Sequence, residues 1–208
     1  MNVAKQLASA LERRDEQPNI ELARKVAATG DPSLVRELVS LLYEGKRAIQ
    51  NDSIKVLYEI GLLNPTLIAP YCEQFVALLQ SKNNRLQWGA MIALGTIVHV
   101  ETGCISQAIT QIVDAADRGT VITKDHAFKI LVQLYSKEKY AEMAFALLNE
   151  QLYKSPVNQL PMYAELAMEV MRQRDKATFI HTLQTRLADV DKESKRKRIN
   201  NVLKKIGR

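Results

Sequence analysis

One short pattern of apolar and small residues recurs along the chain at a spacing of 37. Val56, Leu57 and Ile60 map by that shift onto Ala93, Leu94 and Ile97. Two further shifts reach Ile130, Leu131 and Leu134, then Ala167, Met168 and Met171. Ser53, Ala90, Ala127 and Ala164 fall in the same register. A small residue followed by apolar residues three, four and seven places later forms one stripe of a helix. The small residue lets a second helix approach, and the triplet fills the groove between them. An earlier helix carries its own stripe: Leu38, Leu41 and Leu42 map onto Phe75, Leu78 and Leu79, then onto Ile112, Ala115 and Ala116. A single helix pair cannot bury such a stripe, so pairs must stack.

The pattern predicts helix pairs at about 2–29, 32–62, 65–100, 104–136, 138–173 and 174–206. Asp31-Pro32, Asn64-Pro65 and Ser155-Pro156 each place a capping side chain before a proline, the signature of a helix start. The expected fold is an all-α, right-handed α-α superhelix of about five to six stacked pairs. It forms one domain over 1–208, closed by a basic helix at 192–208. In that last segment Ile199, Val202, Leu203 and Ile206 keep helical spacing, so it reads as a closing helix with an apolar face inward and a charged face to water, or else as a contact for nucleic acid or a membrane surface.

The third pair carries more specific detail. Pro70, Leu78-Leu79, Leu86-Gln87, Ala90 and Ala93-Leu94-Gly95-Thr96-Ile97 resemble a HEAT repeat, with Leu86-Gln87 where that family has Val-Arg. The copy at 32–61 keeps Leu41-Leu42, Ile49-Gln50, Ser53, Val56-Leu57 and Ile60, with Tyr58 in place of the glycine. The resemblance to this HEAT/armadillo type of protein implies a curved stack whose second helices line the concave side, and a role in binding other macromolecules.

With 53, 56, 57 and 60 directed to the core, the outward pairs are Asn51 and Lys55, Trp88 and Ile92, Asp125 and Lys129, then Met162 and Leu166. Met162 and Leu166 are expected under the last helix pair. Asn51, Lys55, Arg85, Trp88, Ile92, Asp125 and Lys129 are therefore the candidate partner-binding residues. Trp88, the sole tryptophan, reads either as an interface anchor with a charged rim or as a side chain packed between adjacent second helices. A second row, Lys46, Arg47, Lys82, Arg85, Arg118 and Lys124, lies at the turns and reads either as solvated surface or as a contact for phosphates or an acidic protein.

Charge narrows the choice of partner. The net charge is +6. Eight of the 29 basic residues and one of the 23 acidic ones fall in 192–208, leaving 21 basic against 22 acidic elsewhere. A nucleic-acid-binding solenoid would be expected to be basic along its body as well. The two cysteines, Cys72 and Cys104, lack CxxC spacing and neighbouring histidines, and are expected to be reduced core thiols in a cytoplasmic protein. The apolar residues of 1–18 have helical spacing rather than the continuous block of an export signal. The longest apolar stretch, 88–100, is too short to span a bilayer. Asn51-Asp52-Ser53 matches a glycosylation pattern but sits inside a predicted helix.

Catalytic patterns are not evident. Gly45-Lys46 lacks the remainder of a phosphate-binding loop, and His99, His126 and His181 do not share a helix at ligand spacing. The sequence thus points to a non-enzymatic interaction scaffold for a protein partner, without cofactor or metal. The alternative is nucleic-acid binding, including the HEAT-like DNA glycosylases for alkylated bases. That family uses several aromatics and a catalytic Asp in a basic cleft, whereas this chain has one tryptophan and a neutral body.

Overall fold

The computed structural model describes residues 2–207. Twelve α-helices are present among them, together with short 3-10 turns, and no strand. They run α1 Gln17–Thr29, α2 Pro32–Glu44, α3 Arg47–Leu63, α4 Cys72–Leu78, α5 Asn84–Ile97, α6 Thr102–Gln107, α7 Ile109–Arg118, α8 Val121–Tyr135, α9 Ala141–Lys154, α10 Leu160–Met168, α11 Lys176–Leu187 and α12 Glu193–Ile206. The chain divides into two compact units, one ending at Ala127 and the next beginning at Phe128, with α8 crossing the boundary.

In the first unit α3 packs on α1, α2 and α5, and α5 packs on α4. The repeat positions explain why. Ser53, Val56, Leu57 and Ile60 are fully buried, as are Ala90, Ala93, Leu94 and Ile97. Burying each large apolar side chain is worth about 1.5–3 kcal/mol, so these two stripes are the main adhesive between successive pairs. Two glycines mark how close α3 and α5 come. A methyl group on Gly89 would lie 2.6 Å from Ile54 Cγ1, and one on Gly61 would lie 2.2 Å from Thr96 Oγ1.

The second unit repeats the theme with a weaker ending. Ile130, Leu131 and Leu134 of α8 are fully buried, as are Ala164 and Ala167 of α10. Met168 and Met171 are half-buried, because α10 stops at Met168. Phe128 and Tyr163 stack at 4.1 Å. Here α12 packs on α10 and α11 through Ile199, Val202 and Ile206. Met162 and Leu166 are half-buried.

Three local expectations need correction. The segment before α1 is not a long helix. It makes one 3-10 turn at Ala4–Gln6 and then irregular turns, with Glu12 left-handed at φ 55°. Side-chain acceptors capture the amides a helix would have used: Ala8 N–H donates to Asn19 Oδ1 (2.9 Å) and Ser9 N–H to Asp52 Oδ2 (2.7 Å). Of the three Xaa-Pro caps, Asp31 accepts from the Ser33 amide. Asn64 instead accepts from the Thr66 hydroxyl, and the Ser155 hydroxyl turns back to the Leu152 carbonyl. Cys72 and Cys104 are joined in a disulfide that ties α4 to α6. Spacing in sequence hid this, because a partner 32 residues away is brought near by the stacking of successive pairs. The bond also removes the reduced-thiol premise behind a cytoplasmic location.

Two stability effects follow. The disulfide closes a loop of 32 residues, so loop entropy assigns it about 3–4 kcal/mol. The Cys72→Ser/Cys104→Ser variant should unfold at clearly lower urea than the oxidised parent, and adding reductant to the parent should reproduce most of that loss. Ser53 is the one polar residue at the small repeat position, and its buried hydroxyl has no hydrogen-bond partner among the described residues. Ser53→Ala should therefore raise stability by about 1 kcal/mol, measured by chemical denaturation; a loss of stability would contradict this reading of the site.

Candidate partner-binding site

The predicted outward positions of α3 and α5 lie side by side in the first unit, and local structure fixes each of them. Asn83 caps α5 by accepting from the Arg85 amide (3.1 Å) and donates its own amide to Asn51 Oδ1 on α3 (2.9 Å). One asparagine thus sets the first turn of α5 and its register against α3. Gln87, standing where the HEAT pattern has Arg, donates to the Leu79 carbonyl and closes the end of the preceding helix (3.0 Å).

One helical turn separates Arg85 from Trp88, and the guanidinium lies 4.4 Å over the indole. Trp88 is half-buried and lies 6.1 Å from Tyr58, tilted at 45°. It is thus neither a free anchor nor a fully packed core residue: one side rests on Tyr58 and the guanidinium covers its ring. Cation–π contacts of this kind are worth about 0.5–2 kcal/mol and rigidify both partners. Ile92, one turn further along α5, is half-buried.

Lys55 departs from the sequence reading. It was expected to point outward, yet its side chain is 9% exposed. Its ammonium sits 4.9 Å over the Tyr58 ring, 2.7 Å from Glu59 and 3.1 Å from Glu16. Burial opposes its charge, but hydrogen bonds with Glu59, Tyr58 and Glu16 outweigh that cost and hold its pKa above the ordinary lysine range. Burial pushes the Tyr58 phenol up, partly offset by Lys55. Glu16 also pairs with Arg85, so this single carboxylate bridges cations from α3 and α5. Burial works against the Glu16 charge, but Arg85 and Lys55 together hold its carboxyl below the usual range.

Asp125 and Lys129 lie on α8, at the end of one unit and the start of the next; Asp125 is half-buried and Lys129 exposed. The cluster above is built by Glu16, Asn51, Lys55, Tyr58, Glu59, Asn83, Arg85 and Trp88. Sequence reasoning did not single out Glu16, Glu59, Asn83 or Tyr58 for the site. Glu59 had a local signal, four residues beyond Lys55. Tyr58 had one too, as the bulky residue where the repeat has glycine. Glu16 had none, because its place depends on the irregular path before α1.

Three of the six basic residues proposed for phosphate contact, Arg85, Arg118 and Lys124, have partners within the chain. The Lys124 ammonium donates to the Ala116 and Asp117 carbonyls at the end of α7 (2.6 and 3.0 Å). Arg118 donates to the Asp114 carbonyl and to Gln80 (3.2 and 3.1 Å). Lys46, Arg47 and Lys82 are exposed. In the second unit Arg196 donates to the Leu187 and Val190 carbonyls (both 3.0 Å), and Arg198 makes a two-pronged pair with Glu165 (2.8 and 2.6 Å). Helix C-termini leave four carbonyls without partners, and Lys124, Arg118 and Arg196 supply donors there.

No family model matches this chain, and no curated protein does. Solved structures do match. An engineered protein is 19% identical over 100% of this chain and 97% of its own, with a TM-score of 0.61. A computationally designed armadillo repeat protein for modular peptide recognition is 15% identical over 97% of both chains, with a TM-score of 0.62. A second engineered protein is 18% identical over 99% of this chain and 58% of its own, with a TM-score of 0.56. At these identities the likeness speaks for the fold: an all-α solenoid of the armadillo-like, helical-repeat class. No helix among the described residues is long and apolar enough to cross a membrane.

The Glu16 bridge makes a pH prediction. Because its folded pKa is depressed, its ionic contribution is complete above the ordinary glutamate value of 4.5 and is lost as pH falls through the lower folded value. Emission from Trp88 should hold steady down to about that ordinary value and change below it, and Glu16→Gln should remove that acid step. A step centred above the ordinary value in the parent protein would contradict the bridge.

Proposed function

We propose that this chain is a non-enzymatic scaffold that binds a peptide segment of a protein partner along the ledge formed by α3 and α5. The observation that carries the reading is the pairing of Arg85 stacked on half-buried Trp88. Large, rigid side chains of these two types dominate binding energy at interfaces. Here Tyr58 supports the indole and the guanidinium already lies on it, so less entropy is lost on binding. The polar atoms of Asn51 and Asn83 sit beside them, and Ile92 adds an apolar surface one turn away.

Kinship of the 65–100 pair with HEAT repeats is part of this reading, as is the analogy to a designed armadillo repeat protein for peptide recognition. Charge favours a protein over nucleic acid as partner: Lys124, Arg118, Arg196 and Arg198 are engaged internally, and the body of the chain is nearly neutral. We read the chain as acting without cofactor or metal.

Selecting from a displayed random peptide library on the immobilised chain tests the proposal. Selected peptides should lose at least about tenfold in affinity on Trp88→Ala, the cost of a hot-spot aromatic, with helicity by circular dichroism unchanged. Peptides indifferent to Trp88, or a Trp88→Ala chain that simply melts, would refute the ledge as the binding site.

A further inference from the structure

The ledge already holds a ligand-like group, and that group belongs to the chain itself. Glu16 sends one carboxylate oxygen to Lys55 on α3 and the other to Arg85 on α5. The two cations differ in what they would keep if Glu16 left. Lys55 retains Glu59 in its own helix. Arg85 has Glu16 as its paired carboxylate among the described residues, and its Nε is buried without a hydrogen-bond partner. A guanidinium presents a planar fork of donors suited to two-point contact with a carboxylate. In this structure one position of that fork is unused.

Glu16 is also the least firmly held member of the group. Its side chain is 43% exposed, whereas that of Lys55 is 9% and that of Arg85 31%. Residues 11–15, which lead to it, are all exposed, and the Arg13–Asp15 pair is internal to that segment. Glu16 precedes the first residue of α1 and makes no side-chain capping bond there. Released from the cations, it would rest near the positive end of the α1 dipole, so leaving the ledge is not costly. With Glu16 in place the two cations face two carboxylates; with it gone the ledge carries one net positive charge beside an indole.

We infer that Glu16 is an internal occupant of a carboxylate site, and that the ledge receives an acidic peptide whose Glu or Asp side chain displaces Glu16 from Arg85 and Lys55. The inference rests on the ledge being a peptide site and adds the chemistry of what it receives. The acid docks on Arg85 and Lys55, and a neighbouring apolar residue of the peptide meets Trp88 and Ile92. A self-supplied competitor lowers apparent affinity by the fraction of time it holds the site. Nucleic acid is the poorer fit, since two cations converge here among the described residues and Glu59 remains beside one of them.

The test titrates end-capped hexaglutamate into the full chain at low salt, reading Trp88 emission, with end-capped hexalysine and short single-stranded DNA as comparisons. Glu16→Gln should bind hexaglutamate about three- to tenfold more tightly than the parent, the range set by a surface ion pair of about 1 kcal/mol. Adding Arg85→Gln should abolish the gain, whereas Arg85→Lys should keep part of it, and hexalysine should give no response. Equal affinity in parent and Glu16→Gln, no binding by Glu16→Gln, or binding indifferent to Arg85 would each overturn the inference. So would an Arg85-dependent response to DNA with none to hexaglutamate. The library selection separates the two levels: peptides that need Trp88 but carry no acid and ignore Glu16→Gln leave the ledge standing and remove the carboxylate site.

Discussion

The approach of α3 to α5 sets both the core stripe and the ledge of the first unit. Two helices can pack at the distance their smallest facing residues allow, and here those residues are Gly61, against Thr96, and Gly89, against Ile54. The intimacy is what lets the Asn83 side chain reach Asn51, Tyr58 reach Trp88, and one carboxylate bridge Lys55 and Arg85. Widening the interface by a methyl group would disturb the core stripe and the ledge together, because both are read from the same pair of helices.

The core was legible in the sequence because it obeys a period. A stripe that must face a neighbour at every repeat leaves little freedom, and the residues at 53, 56, 57, 60 and their counterparts in the next two pairs are buried together. The period also placed Trp88 beside Lys55 on adjoining helices. It failed wherever an effect was not periodic. Lys55 reads as outward by helical angle, yet the long side chain folds back between Tyr58 and two carboxylates. The route of 2–16 is decided by individual acceptors, Asn19 and Asp52, that no pattern announces. The disulfide joins cysteines whose relation exists only once successive pairs have stacked.

Counting charges likewise says little about where they act. The basic excess after residue 191 resembles an electrostatic surface, but Arg196 and Arg198 are spent on carbonyls and on Glu165. Deeper in the second unit Arg186, 9% exposed, donates to the carbonyls of Leu152, Tyr153 and Ser155 at the end of α9. Short helices have many ends per residue, and each end leaves acceptors in need of donors. With twelve such helices among the described residues, a surplus of arginine and lysine is partly a structural requirement of helix termini.

The disulfide has a mechanical meaning as well as a thermodynamic one. A stack of helix pairs in which each touches its neighbours resembles a spring that can open one coil at a time. Cys72 and Cys104 enclose all of α5, with Arg85, Trp88 and Ile92 inside the closed loop and α3 outside it. Under tension along the chain, force passes across the sulfur bridge and bypasses that loop, withholding about 110 Å of contour length at roughly 3.4 Å per residue. A partner pulling on this protein would therefore strip α3 from the ledge before it could draw out α5, so Arg85, Trp88 and Ile92 are insulated from load and Asn51, Lys55 and Tyr58 on α3 are not.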